Sequence, residues 1–384
     1  MFLAREIVAG RNDAADGLRG IAAINVALSH FVAAFWPSLL RYNYDGFEKY
    51  QTPMSIAEKI LSSPPITLFF NGHFPVLVFF VLSGFLLASP AMEDRYDLIR
   101  ARAIGRYFRL NIPIAAACFF SWLLLEGGFY FNIEAAAVSS SQWLENFYTH
   151  SVSLGELLNI VEYRGILGDG TLVPPLWTLK VEFLGSLLLL AAICLSPPRK
   201  AYAGLILAAL GILISRSDDQ IYYLAFLAGA SLNWLKPKGY LALGCLFVGF
   251  FFGAYQNAAL PYLWLPTVRD AKSAYNCIGA VLVVAGTCTG SKAPYPLSNP
   301  VSLFLGRISF SLYLFHFPIL TSVACFVICF MGNGLIGLLS ALVIYLGIAI
   351  AVALVATKTV DAPAIQFGHW FAFELSKQSR AKKM

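Results

Sequence analysis

The feature that most constrains this chain is a series of apolar runs, each long enough or nearly long enough to cross a bilayer. Spanning the hydrocarbon takes roughly 20 mainly apolar residues. Ten segments qualify or come close: residues 20–40, 69–89, 110–131, 176–196, 201–215, 220–235, 240–256, 273–290, 308–330 and 334–356. They occupy more than half of the 384 residues, which leaves no room for a soluble domain of ordinary size. Inside hydrocarbon each backbone polar group must be satisfied within its own segment, so runs of this kind fold as helices. The expected fold is all-α: a polytopic membrane helical bundle of about ten transmembrane helices, residues 1–357, followed by a basic tail, 358–384. Only 12% of the residues are charged, against about 25% in soluble domains, too few to solvate a globule of this length.

Orientation follows from the distribution of Lys and Arg, which are retained on the cytoplasmic side. With ten spans and the N-terminus inside, 19 of the 27 basic residues fall on the cytoplasmic side. They include Arg5, Arg11 and Arg19, the 95–109 cluster, Arg199–Lys200, and Lys377 to Lys383 in the tail. Both termini are therefore expected in the cytoplasm and the loops 41–68 and 132–175 outside. The basic residues are scattered between apolar runs instead of forming a stripe, which excludes a nucleic-acid partner. The seven cysteines all lie in apolar runs without a CxxC pair, and are read as small buried hydrophobes.

Ionisable groups inside such runs are costly and mark candidate functional sites. Arg19, in Asp16-Gly17-Leu18-Arg19-Gly20, and His30 are eleven residues apart. That is about three helical turns, which puts them on one face about 16 Å apart. Arg106 and Arg109 are i, i+3 neighbours where the third run begins, and two guanidiniums side by side make a fork for phosphate oxygens. Glu182 lies near the start of the fourth run, behind Trp177, and a carboxylate at that depth needs a partner. His316 sits two residues before Pro318; His73 and Ser83 lie at opposite ends of the second run. A buried His and Glu would also suit the proton relay of a proton-coupled secondary transporter, and that alternative stays open on these residues alone.

Five stretches, in order, are shared with a known family. They are Asp16-Gly-Leu-Arg19-Gly with His30, Phe79-Phe-Val-Leu-Ser83-Gly84, Arg106-Tyr-Phe-Arg109, Pro175-Leu-Trp177-Thr-Leu-Lys-Val-Glu182-Phe, and Ser311-Leu-Tyr313-Leu-Phe-His316-Phe-Pro318. Together they resemble the acyltransferase 3 family of integral-membrane O-acyltransferases, which acetylate O-antigens, exopolysaccharides and similar glycans. The resemblance implies a multi-pass protein of the cell membrane. It would transfer an acyl group, typically acetyl, from cytoplasmic acyl-CoA to a hydroxyl of a glycan or lipid-linked saccharide. Acyl-CoA would be a co-substrate, with no permanently bound cofactor and no metal. It also implies roles: His30 and Glu182 catalytic, Arg19, Arg106 and Arg109 on the CoA phosphates, and Asp16, His73, Ser83, Trp177, Tyr313 and His316 as substrate-facing or structural polar groups. Whether His30 would act as a base or as an acyl carrier is left open.

Overall fold

The computed structural model describes residues 12–44, 47, 54–196, 200–215, 217–257, 259–290 and 293–381, and among them there is no β-strand. Several basic residues of the charge count, among them Arg5, Arg11, Arg199, Lys382 and Lys383, lie outside the described residues, and nothing is described of the side chains of Lys377 and Arg380. The principal helices are α1 (Asp13–Phe35), α2 (His73–Ala88), α3 (Tyr96–Glu126), α4 (Asn132–Ser139), α5 (Trp177–Leu195), α6 (Ala201–Ser215), α7 (Gln220–Ser231), α8 (Tyr240–Gly253), α9 (Ala271–Cys288), α10 (Pro300–Ile319), α11 (Cys325–Met331), α12 (Leu335–Ala356) and α13 (Ala362–Ala381).

All ten expected runs are helical at their centres, and among the described residues seven helical stretches are long and apolar enough to cross a membrane. They are Asp13–Phe35, His73–Glu93, Tyr96–Glu126, Pro174–Leu195, Ala271–Cys288, Pro300–Met331 and Leu335–Leu375. The expected runs at 201–215, 220–235 and 240–256 form the shorter helices α6, α7 and α8, of 15, 12 and 14 residues. At 1.5 Å per residue, 15 residues reach about 22 Å, short of the ~30 Å hydrocarbon core. The segment expected as a tail is also ordered as helix: α13 packs along α3, where Gly105 and Gly368 let the backbones touch and Phe108 sits on Phe367 and Phe371 at ring separations of 5.1 and 4.7 Å.

Helix surfaces are sorted between bundle and lipid. On α12, Gly337, Ala341, Tyr345, Ala349, Ala353 and Ala356 are buried, while Leu335, Ile336, Leu339, Val343 and Val355 are exposed. Small residues facing the bundle and large aliphatic ones facing outward are what helix packing in lipid requires, since close backbone approach replaces the hydrophobic drive. The described residues of the long connections 36–72 and 127–176 gather at one end of the bundle. There Ser141 Oγ donates to the Ala33 carbonyl (2.9 Å), the Phe131 N–H donates to the Thr321 carbonyl (3.1 Å), and the Trp36 indole donates to Glu58 (2.9 Å). This is the loop end; the starts of α1, α3 and α10 form the arginine end.

Candidate active site

The sequence motif at the start of α1 builds the closest helix contact in the site. A Cβ at Gly17 would overlap the Leu297 carbonyl, and one at Gly306 on α10 would overlap the Asp16 carbonyl. At Gly20 it would stand 2.5 Å from the Gly306 nitrogen, so glycine is the residue that lets α1 and α10 meet backbone to backbone. Further along the same pair, this proximity brings two histidines together. His30 Nδ1 is 2.8 Å from His316 Nε2, with the rings 5.1 Å apart and 8° from parallel.

The hydrogen bonds set the tautomers. His316 Nδ1 faces the carbonyl oxygens of Tyr313 (2.8 Å) and Leu312 (3.1 Å). Carbonyls only accept, so this nitrogen carries the proton and donates. In a neutral ring His316 Nε2 is then a lone pair, and it accepts from His30 Nδ1–H. His30 is left with its own lone pair on Nε2. His316 is fully buried and His30 only partly, so of the two it is His30 whose ring is partly exposed while keeping a free lone pair on Nε2. At the loop end the pair is covered by aromatic rings: Trp143 stacks on His30 at 5.8 Å, Phe317 meets it edge-on at 5.3 Å, and Phe147 packs against both at 4.9 Å.

Toward the arginine end lies a cavity of about 240 Å³. Its charged lining comprises Asp16, Arg19, Arg106, Arg109, Glu182, Arg307 and Asp361, from five helical segments. Arg106 is spoken for: one nitrogen forms an ion pair with Glu182, and Nε donates to Ser186 Oγ at 2.9 Å. Ser83 Oγ also donates to Glu182 (2.9 Å). Arg19 and Arg109 have no ion pair or hydrogen bond to side chains among the described residues, so their guanidiniums are the available donors of the cavity. The inner end is closed by Tyr313, whose hydroxyl meets Thr178 Oγ1 at 2.7 Å and whose ring lies 5.8 Å from both Phe79 and His316.

The structure thus joins Asp16, Arg19, Ser83, Arg106, Arg109, Glu182 and Tyr313 around one cavity and sets His30 and His316 behind its floor. Glu182, expected beside the chemistry, is paired with Arg106, and no hydrogen bond links it directly to His30. His73 lies elsewhere, at the loop end, with Nε2 2.9 Å from Ser273 Oγ, and Trp177 is a half-exposed ring packed on Tyr222 at 5.6 Å. Arg307, Asp361, Thr178 and Trp143 were not singled out from the sequence. For Arg307 there is a signal, an arginine nine residues before His316 on one helix, as Arg19 precedes His30; for Trp143 there is none.

The family model for an acyltransferase domain, acyltransferase 3, matches residues 12–358, which contain both histidines and every charged residue of the cavity except Asp361. The chain belongs to the acyltransferase 3 family. It is also similar to O-acetyltransferase PaAT-1 of Phomopsis amygdali, 26% identical over 201 residues. That match covers 46% of this chain and spans only 38% of the relative's own length. No solved structure matches the chain. With seven membrane-length helices among the described residues, this family member is a multi-pass membrane protein.

Proposed function

We propose that the protein is a membrane O-acyltransferase that moves an acyl group, acetyl in the simplest case, from acyl-CoA to a hydroxyl of a cell-surface glycan or lipid-linked saccharide. The observation that carries this reading is the fixed tautomer of His30, whose lone pair on Nε2 is backed by the His316 hydrogen bond. In the reaction the acceptor hydroxyl gives its proton to His30 Nε2 as its oxygen attacks the thioester carbonyl. A C–O bond forms, the C–S bond breaks, and the proton passes from His30 to the departing CoA sulfur, which leaves as the thiol. His30 gains positive charge during the attack, and its Nδ1–H bond to His316 strengthens as it does so.

Arg19 and Arg109 supply free charge-assisted donors for the CoA phosphates, with Arg307 on the exposed rim. Arg106 and Glu182 form the wall that holds α3 against α5. The arginine end faces the cytoplasm, where the positive-inside bias places it and where acyl-CoA is available, and the loop end faces outward from the cell membrane. The test is purified protein with radiolabelled acetyl-CoA and candidate saccharides. His30→Gln keeps the hydrogen bond and rough volume but cannot take a proton. It is expected to lower transfer about 10²–10⁴-fold. Near-normal transfer by a well-folded His30→Gln protein would remove His30 from the mechanism.

A further inference from the structure

The arginine-lined cavity has one wall that the family match leaves out. The match ends at residue 358, yet Asp361 and Ile365 line the cavity from beyond it. Asp361 closes the turn Thr357–Asp361, where the helix widens to π-type hydrogen bonding between α12 and α13. Such turns are uncommon and recur at functional sites. This one is held on both flanks. Upstream, Thr357 Oγ1 donates to Ser311 Oγ of α10 at 3.0 Å. Downstream, α13 lies on α3 through the Gly105–Gly368 contact and the rings of Phe108, Phe367 and Phe371. Asp361 is thereby fixed to the cavity wall between two helices that carry its arginines.

Charge gives this placement its meaning. The lining has three carboxylates, Asp16, Glu182 and Asp361, and Glu182 is bonded to Arg106. Asp361, partly buried, makes no ion pair or side-chain hydrogen bond among the described residues. Its charge nevertheless acts on Arg109 and, less strongly, on Arg19, the two guanidiniums that also lack a direct partner. Arg109 in turn feels the repulsion of Arg106 and Arg19. A carboxylate near these cations offsets that repulsion without occupying their N–H donors. The same carboxylate is a like charge to any phosphate that later reaches them.

We propose that Asp361 is a built-in anion of the donor cavity: it steadies Arg19 and Arg109 in the empty protein and opposes the phosphates of a bound ligand, so that CoA is let go after transfer. This inference rests on the O-acyltransferase reading, in which the cavity takes acyl-CoA. Acetyl-CoA and the product CoA carry the same phosphates, so each contact that holds the donor also holds the product. Uniform affinity of that kind lowers KM without raising kcat, and it retards product release. A carboxylate beside the arginines weakens both ligands alike.

The experiment measures, by calorimetry on the full-length protein in detergent, the binding of CoA and of adenosine 3′,5′-bisphosphate, a fragment with phosphates but no thiol. It compares wild type with Asp361→Asn and Asp361→Glu, each checked by thermal unfolding; Asp361→Ser is a second neutral variant with the same expectation as Asn. Asp361→Asn keeps the size and removes the charge, and should tighten both ligands about three- to tenfold. The constant for inhibition of transfer by CoA should fall by the same factor. Asp361→Glu retains the charge and should return both affinities toward wild type. Neutral variants that bind as wild type does, or more weakly, would overturn the proposal. So would Asn and Glu variants that shift alike, since a residue with a purely structural part responds to size and not to charge. A wild-type protein that binds neither ligand would instead take down the donor reading of the cavity.

Discussion

If His30 is the base, His316 should matter to the rate and hardly at all to donor binding. The substitution is His316→Leu, which keeps volume in a fully buried position and removes the acceptor for His30 Nδ1–H. It leaves no backbone group orphaned, because the Leu312 and Tyr313 carbonyls that His316 contacts lie within α10 and its hydrogen-bonding pattern. The lost interaction is a hydrogen bond to a ring that becomes cationic in the transition state. Bonds to charged groups are worth about 1.5–3 kcal/mol, and at 1.36 kcal/mol per decade kcat should fall roughly 10- to 150-fold. The acetyl-CoA KM should stay near wild type, since the guanidiniums that would hold the donor line a cavity that His316 does not. His316→Gln should restore part of the rate, because an amide oxygen can accept the same proton. The assay is initial-rate transfer from radiolabelled acetyl-CoA at saturating acceptor, with folding checked by thermal unfolding. A His316→Leu kcat within twofold of wild type, or a loss that Gln does not relieve, would refute the tautomer argument.

The remaining expectations concern the arginine cavity and the loop end. Arg19→Ala and Arg109→Ala should each raise the acetyl-CoA KM about 10- to 150-fold, with Lys restoring only part, since it keeps charge but loses the planar fork; unchanged KM values would make these residues membrane anchors only. Glu182→Ala leaves the Arg106 charge buried without its partner and should destabilise the protein by about 3–5 kcal/mol, a cost that an Arg106→Leu/Glu182→Leu double replacement removes; unfolding followed in detergent would show whether the double variant recovers. Near the loop end the Trp36 indole, with the Ser55 backbone, holds the Glu58 carboxyl down at about 2 from 4.5. A lowered pKa gives stability that is present above about 4.5 and lost as pH falls toward 2. Hydrogen exchange in residues 55–62 should accelerate across that interval, and should do so no longer in Glu58→Gln.

The helical character of the chain was legible because hydropathy acts residue by residue, and each of the ten apolar runs is helical at its centre. The count was not. α6 and α8 are apolar but only 15 and 14 residues long, and composition does not say which apolar runs fold into helices of full membrane length. Within the site, the Arg19–His30 spacing could be read because a single helix fixes it. The partner of His30 could not, since His316 is 286 residues away and meets it only through the glycine contact of α1 with α10. Glu182 was recognisable as needing a partner. Arg106 and His30 were equally eligible by chemistry, and only the packing of α3 on α5 decides for Arg106. Trp143 lies in a loop whose path no periodicity describes.

The glycine contact explains why so much of the site comes from two helices. α1 carries Arg19 and, eleven residues on, His30; α10 carries Arg307 and, nine residues on, His316. Those separations are about 16 and 13 Å along the two axes. Because the two helix backbones touch at Gly20 and Gly306, the two arginines line the same cavity and the two histidines fall within hydrogen-bond distance. A residue with a side chain at Gly20 or Gly306 would force the helices apart by overlapping the facing backbone, and would widen the arginine cavity and break the 2.8 Å histidine contact together. Donor binding and proton transfer are in this way set by one interhelical distance, so damage at that contact should lower donor affinity and kcat jointly, whereas replacement of His316 should lower kcat alone.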